Sequence, residues 1–486
     1  MNKEKKFSKV LNITDILFVA FGAMIGWGWV VSSGGWIQSG GVLGTVIGFI
    51  IGGIMIFFVG LTYSELTPAM PKCGGEHLFS YKAFGATGSF ICTWSIILSY
   101  IGVACFEACS LPTILQYLFP NYMVGYMYTI AGFDVYASWL AVAIVFAIII
   151  TIINIIGIKK AAIFQKILTI IIAAVGILLF AASMFNGNVE NINSQLFVGE
   201  NLGSSFNNIL KVAMMTPFFF FGFDVIPQAS EEINIPLKKI GKIMLLSIIM
   251  AVAFYCIVVL GIGLIFNSSE INNSMQTTGL VTADAMAKAF NSKAMANVMI
   301  IGGICGIVTS WNSFVIGGSR AIYSMSESYM IPRTFSKLTK KSKTPYFAIF
   351  LVGILSIIAP LFGRTMLVWI VDASNFACCL AYCMVAVSFI VIRKKYPDME
   401  RPFKIKHYWV VGIIAIIMSA TMAAMYIIPG SGTTLCWQEW IIVGGWAILG
   451  LAFFLSSKFR YKEKFASNIE HNEEDNLQED NKEDNI

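Results

Sequence analysis

Two long apolar stretches of this chain are interrupted near their middles, and nothing else in the sequence restricts its fold as tightly. Gly22-Ala23-Met24-Ile25-Gly26-Trp27-Gly28 breaks the first, and Phe218-Phe219-Phe220-Phe221-Gly222-Phe223-Asp224 breaks the sixth. In hydrocarbon every backbone N–H and C=O needs an internal partner, so irregular backbone survives at that depth only where protein, water or a bound molecule satisfies the freed groups. Two such breaks, five spans apart, point to an internally repeated bundle with a binding site at the bilayer midplane.

The membrane setting follows from composition. Of the 486 residues, 57% are hydrophobic and 12% charged, and the mean hydropathy is +0.75, well outside the range of soluble domains. A helix needs roughly 20 largely uncharged residues to cross about 30 Å of hydrocarbon. Twelve runs qualify: 14–38, 42–66, 88–118, 136–157, 161–184, 206–229, 241–266, 295–327, 346–361, 365–392, 408–428 and 437–456. The pattern predicts an all-α membrane protein of twelve transmembrane helices, with helices 1 and 6 broken.

Charge tests that count independently, because Lys and Arg collect in cytoplasmic loops. Lys3 to Lys9, Lys72/Lys82, Lys159/Lys160/Lys166, Lys238/Lys239/Lys242, Arg333 to Lys343, Arg393 to Lys406 and Lys458 to Lys464 all fall at the N-terminal tail or after even-numbered spans, whereas Lys211, Lys288, Lys293 and Arg364 do not. Both termini are therefore expected on the cytoplasmic side of a cell membrane, and the net charge of +6 reports topology, not nucleic-acid binding. The first apolar stretch is longer than a signal h-region and lacks a small-residue cleavage site, so it reads as a retained helix. The division expected is a tail at 1–13, spans 1–5 at 14–184, spans 6–10 at 206–392, two appended spans at 408–456, and a tail at 457–486 whose acidic, aromatic-free composition predicts disorder. Between spans, 267–294 predicts a short amphipathic helix around Thr282–Lys288, and the linker 69–87 a short helix at Glu76–Tyr81.

The breaks also suggest chemistry. Gly22, Gly26 and Gly28 lower helix propensity and leave no Cβ in the way of a ligand. N–H groups near Trp27 and Gly28 would face a carboxylate, and carbonyls near Met24 an ammonium. Close helix packing is the competing explanation for these glycines. Pro217 and Pro227 loosen the sixth span in the same way. Asp224, Glu107 and Asp372 are acids at bilayer depth, where a charge is costly enough to imply function or a partner. The run Thr309-Ser310-Trp311-Asn312-Ser313 offers hydroxyls suited to Na⁺, although Ser and Thr also bond harmlessly to their own helix. Phe218, Phe221 and Phe314 could wall a pocket or fill core. Cys378/Cys379/Cys383 and Cys105/Cys109 have helical spacing but no accompanying histidine, so no metal is expected. With no nucleotide-binding loop and no His-pair motif, neither a cofactor nor an enzymatic activity is expected.

Ordered motifs then resemble the amino acid–polyamine–organocation permeases from about residue 10 to 456. They are the glycine motif Gly22 to Gly28, Ser64-Glu65-Leu66 through Pro71-Lys72-Cys73-Gly74-Gly75-Glu76, Phe221 to Asp224 followed by Glu231 to Lys238, Ser319-Arg320 to Pro332, and Arg401-Pro402-Phe403. The resemblance implies a five-plus-five inverted repeat that moves amino acids or related amines by alternating access. It implies a substrate site built from Met24, Ile25, Gly26, Trp27 and Gly28 with Phe218, Phe221 and Asp224, and side-chain selection by Ala104, Glu107 and Phe314. Two positions depart from the family pattern. Ile172 stands where many proton-coupled members carry a lysine beyond the matched Thr169, and Glu327-Ser328-Tyr329 replaces the usual Arg-Asp-Gly. Coupling is therefore expected through Na⁺ at Thr309, Ser310 and Ser313, through H⁺ at Glu107 or Asp224, or through obligate exchange. Glu107 would favour a neutral or cationic amino acid over an acidic one. An amine or polyamine carrier of the same fold and a receptor that binds without transport are the rival readings.

Overall fold

The computed structural model describes residues 7–431, 433–467 and 469. Helices dominate. In chain order they are α1 Ile13–Met24, α2 Gly28–Val31, α3 Ser33–Gly40, α4 Val42–Ala69, α5 Glu76–Leu118, α6 Ala137–Ile156, α7 Ile158–Asn186, α8 Val189–Asn193, α9 Leu202–Met215, α10 Val225–Gln228, α11 Leu237–Ile265, α12 Ser268–Thr277, α13 Val281–Phe290, α14 Lys293–Glu327, α15 Tyr346–Ile358, α16 Gly363–Lys395, α17 Tyr408–Met425 and α18 Trp437–Tyr461. Among the described residues, ten helical stretches are long and apolar enough to cross a membrane.

Local signals explain the punctuation. Asn12 caps α1 in a reciprocal box with Asp15, each bond 3.0 Å long. Gly85, at φ 74° and ψ −167°, kinks α5 and sets the Glu76–Phe84 stretch apart from the long rod after it, where the sequence predicts a short helix before the third span. Between spans, the structure adds two elements to the sequence expectation. α12 precedes the predicted helix near 282, capped by an Asn267–Glu270 box, and an antiparallel hairpin pairs β1 Tyr126–Ile130 with β2 Phe133–Tyr136. Ala131 and Gly132 turn that hairpin at φ 48° and 76°. Past the last predicted span, α18 continues to Tyr461, and Ala466 N–H binds the Ser328 carbonyl at 2.9 Å. The expected tail lies, from residue 470 on, outside the described residues.

The core sits around α5, which packs against both α14 and α16, while α11 packs on α4 and α7. In the most apolar stretch of α14, 89% of residues are buried, against 11% in α18, so α14 is central and α18 lies at the rim. One end of the bundle is sealed by a charge pair. Arg320, wholly buried on α14, forks onto Glu232 at 3.0 and 3.1 Å. The Glu232 carbonyl in turn accepts the N–H groups of Val10 and Leu11, both at 2.9 Å, so the segment before α1 is strapped across the end of the second break. Phe7 edges onto Tyr323 at 4.8 Å and extends that strap.

Candidate substrate site

The chain leaves helical geometry at both interruptions, and the two segments touch. α1 stops at Met24, Ile25 sits at φ −108° and ψ 79°, and helix resumes at Gly28. The first turn of any helix leaves N–H groups without intrahelical partners, so the stretch from Gly26 to Trp29 has donors to offer. Two neighbours hold this break from outside. Tyr255 on α11 donates to the Met24 carbonyl at 2.9 Å, and Gly306 on α14 comes so close that an added Cβ would stand 2.5 Å from the Gly26 carbonyl oxygen.

The second break is longer. α9 passes into a 3₁₀ turn at Thr216–Phe220 that carries Pro217, Phe221 is extended, and Gly222 sits at φ 125° before the short α10. That φ demands glycine. Space demands it as well, since a Cβ on Gly222 would lie 2.6 Å from that of Ala23. Asp224, 1% exposed, pins the loop: it accepts from Gly222 N–H at 3.0 Å, from Tyr100 at 2.5 Å and from Tyr382 at 2.8 Å.

Between the breaks lies a cavity of about 210 Å³. Of the sequence-predicted residues, Met24, Gly26, Trp27, Gly28, Glu107, Phe218, Phe221, Ser310 and Phe314 line it. Ile25, Ala104, Asp224, Thr309 and Ser313 do not. Helical phase explains two of these placements. On α5 the wall is formed by Val103, Phe106 and Glu107, spaced i, i+3, i+4, which turns Ala104 away. On α14 the wall is Ser310 and Phe314, while Thr309 bonds to the Gly306 carbonyl and Ser313 donates to Val19 C=O at 3.1 Å. Ser313 also accepts from Gln165, which binds Asn312, which accepts from Asn154, and this chain of amides ties α1, α6, α7 and α14 together. Asp372 lies on α16 with its neighbour Val371, not Asp372 itself, on the cavity wall.

Glu107 is 4% exposed, and its Oε2 has no hydrogen-bond partner. An orphaned carboxylate oxygen at a cavity wall is an acceptor waiting for a donor. Its Oε1 would be 2.9 Å from a Cβ on Gly26, so the acid lies directly against the first break. Sequence reasoning overlooked Phe219, whose ring lies where a Gly28 side chain would go, and Tyr255 and Arg364. The isolated charge of Arg364 among the few basic residues away from the cytoplasmic loops was the available signal for it.

A helical bundle with a cavity walled by two unwound segments has the architecture found in membrane carriers with broken helices. The chain belongs to the amino acid permease family, which it matches over residues 15–470. It is 26% identical to the methylthioribose transporter of Bacillus subtilis (strain 168) over 94% of this chain and 95% of that one. To the branched-chain amino acid permease BcaP of the same organism it is 26% identical, over 94% of each. An aspartate–proton symporter, also from Bacillus subtilis, is 24% identical over 95% of this chain and 86% of its own length. These relatives are transporters, and the chain is not an enzyme.

Proposed function

We propose that this chain is a secondary carrier of neutral or cationic amino acids in a cytoplasmic membrane, working by alternating access. The observation that carries the reading is the cavity shared by both interruptions, with the unpartnered Oε2 of Glu107 on its wall. The substrate carboxylate meets N–H groups at Trp27 and Gly28, and its ammonium meets the carbonyls of Met24 and Phe218. Met24 keeps a lone pair free beside the one Tyr255 uses. Glu107 selects against an anionic side chain, because like charges repel strongly at low dielectric. Phe221 and Phe314 pack against the substrate's apolar part.

Counting Ile13–Gly40 as one crossing and Tyr346–Lys395 as two brings the ten candidate stretches to twelve. We read residues 14–184 and 206–392 as the two halves of a five-plus-five inverted repeat, with both termini cytoplasmic. The sealed end at Arg320–Glu232 is then the cytoplasmic one. A substrate shifts the balance between outward- and inward-open forms only through its different affinity for each.

The test is purified protein in liposomes, offered a panel of radiolabelled amino acids and amines, with counterflow as the readout. Counterflow of neutral or cationic amino acids supports the reading, and Glu107→Gln should widen acceptance to acidic ones. Binding without flux would make the protein a receptor, and flux of amines that lack a carboxylate would make it an amine carrier.

A further inference from the structure

Two acids outside the substrate cavity are buried around the short α10 turn, and among the described residues neither is paired with a cation. Glu76, which opens α5, is 0% exposed, and Asp224 is 1% exposed. Gln228 stands four residues after Asp224 on the α10 turn and donates through Nε2 to Glu76 Oε2. The linker before α5 is bound to the same turn, by Gly74 N–H to Gln228 C=O at 3.2 Å and Gly75 N–H to Pro227 C=O at 3.3 Å. Tyr63 on α4, also 0% exposed, belongs to this compartment. Its hydroxyl faces Glu76, and its ring meets that of Tyr382, the residue that donates to Asp224, at 5.7 Å.

The supply of donors is uneven. Asp224 accepts from two tyrosines and a backbone N–H. Glu76 accepts from Gln228 on one oxygen, while its Oε1 and the Tyr63 hydroxyl find no hydrogen-bond partner beyond each other. The other titratable groups facing the pair are Cys92 and Tyr100 from α5 and Cys378 and Tyr382 from α16, none of them a cation. His77, the next residue, is turned away, with its ring nitrogens on Thr93, Ser89 and Ser328. Among the described residues neither carboxylate takes part in an ion pair.

Two like charges confined to one dry compartment repel, and a single proton held between them removes the repulsion. We propose that Glu76 and Asp224 form a proton site separate from the substrate cavity, which holds one proton while the compartment is closed and exchanges it when the linker parts from α10, coupling transport to H⁺. This rests on the carrier reading above. The donors place the negative charge on Asp224 and the proton on Glu76 Oε1, with the Tyr63 oxygen as its acceptor. On inward opening, the separation of Gly74 and Gly75 from Pro227 and Gln228 admits water to Glu76, and the proton passes to that water.

The experiment uses the full chain in liposomes containing a trapped pH dye, with the amino acid that gives the fastest counterflow. The wild type should accumulate it at least about 5-fold when the outside is acid relative to the inside, with a matching dye response. Glu76→Gln should keep counterflow within about 2-fold while losing both gradient-driven accumulation and the dye signal. Counterflow by the wild type without a proton response, or accumulation driven only by Na⁺, overturns the proposal and leaves the carrier reading standing. A full proton response in Glu76→Gln also overturns it. If that variant lacks counterflow, Tyr63→Phe decides: a shift of the external pH for half-maximal uptake supports the site, and an unchanged profile sinks it. Absence of all flux from the wild type removes the carrier reading and this proposal together.

Discussion

The two interruptions solve the same problem with opposite means. The first is made of glycine and is held by its neighbours, through the Tyr255 hydroxyl on Met24 and the close approach of Gly306 to Gly26. The second carries its own fastening, since Asp224 binds Gly222 two residues before it and gathers Tyr100 and Tyr382 from α5 and α16. A backbone held from outside keeps its own polar groups free to face the cavity, whereas one that ties itself off spends them internally. On the reading proposed above, the first break therefore supplies most of the contacts to a ligand's charged ends, with the Phe218 carbonyl as the second break's share, and the second break is tied to the helices it fastens.

The largest effect should come from attacking the seat of the first break. In Gly306→Val the new side chain meets the Gly26 and Ile25 carbonyl oxygens, 2.5 and 3.0 Å from the Cβ position, and backbone cannot swing aside as a ring can. Uptake per folded molecule should fall at least about 100-fold, equivalent to roughly 2.7 kcal/mol. Gly444→Val on α18, where nothing lies within 4 Å, is the control. Equal uptake by the two variants would remove the first break from the mechanism.

Next in size is the fastening of the second break. Asp224→Asn keeps the shape but replaces one acceptor oxygen by a donor, so one buried tyrosine hydroxyl must turn round and loses its bond to a carboxylate. A hydrogen bond to a charged group is worth about 1.5–3 kcal/mol, so thermal stability in detergent should drop and flux decline by about 10-fold. If only flux falls and the melting temperature holds, the residue handles protons or substrate without fastening the loop. Tyr255→Phe is milder, removing one hydrogen bond worth about 1 kcal/mol from the Met24 carbonyl. Its signature should be a KM about 5-fold higher with kcat little changed. A fall in kcat alone would mean that this carbonyl does not meet the substrate in its resting form.

How far the sequence could foresee this contrast depends on what each feature is made of. Both interruptions were legible because glycine and proline act locally, through φ and missing N–H groups, and the acids were legible because any charge in an apolar run stands out. Helical phase was not. Ala104 and Val103 are equally apolar, and only the packing of α5 against the breaks turns Val103 to the cavity. The division of Thr309 and Ser313 from Ser310 likewise reflects which neighbour α14 meets on each side. Asp224 stood out as a charge, yet its tyrosine partners lie 124 and 158 residues away in sequence, beyond the reach of any local pattern. The α12 helix hid behind its polar composition, although the Asn267–Glu270 cap was there to be read.

The smallest expected effect separates the breaks by pH. Glu231 lies three residues beyond α10, accepts from Cys73 N–H at 3.1 Å and belongs to the second break's end alone. Burial first, and then the nearby Glu327 carboxylate, push its carboxyl up to about 7 from 4.5. Below pH 4.5 the folded and unfolded chains both hold this proton. As pH rises past 4.5 the unfolded chain releases it while the folded one retains it to about 7, so the stabilisation present at low pH is lost across that window and the loss levels off above it. Because the side chain is only partly buried, solvent screening should hold the effect to about 1 kcal/mol. Melting curves from pH 4.5 to 8 should slope downward in the wild type and flatten in Glu231→Gln. An identical slope in both would assign the pH response to another group, and a steeper slope in the variant would reverse the sign argued here.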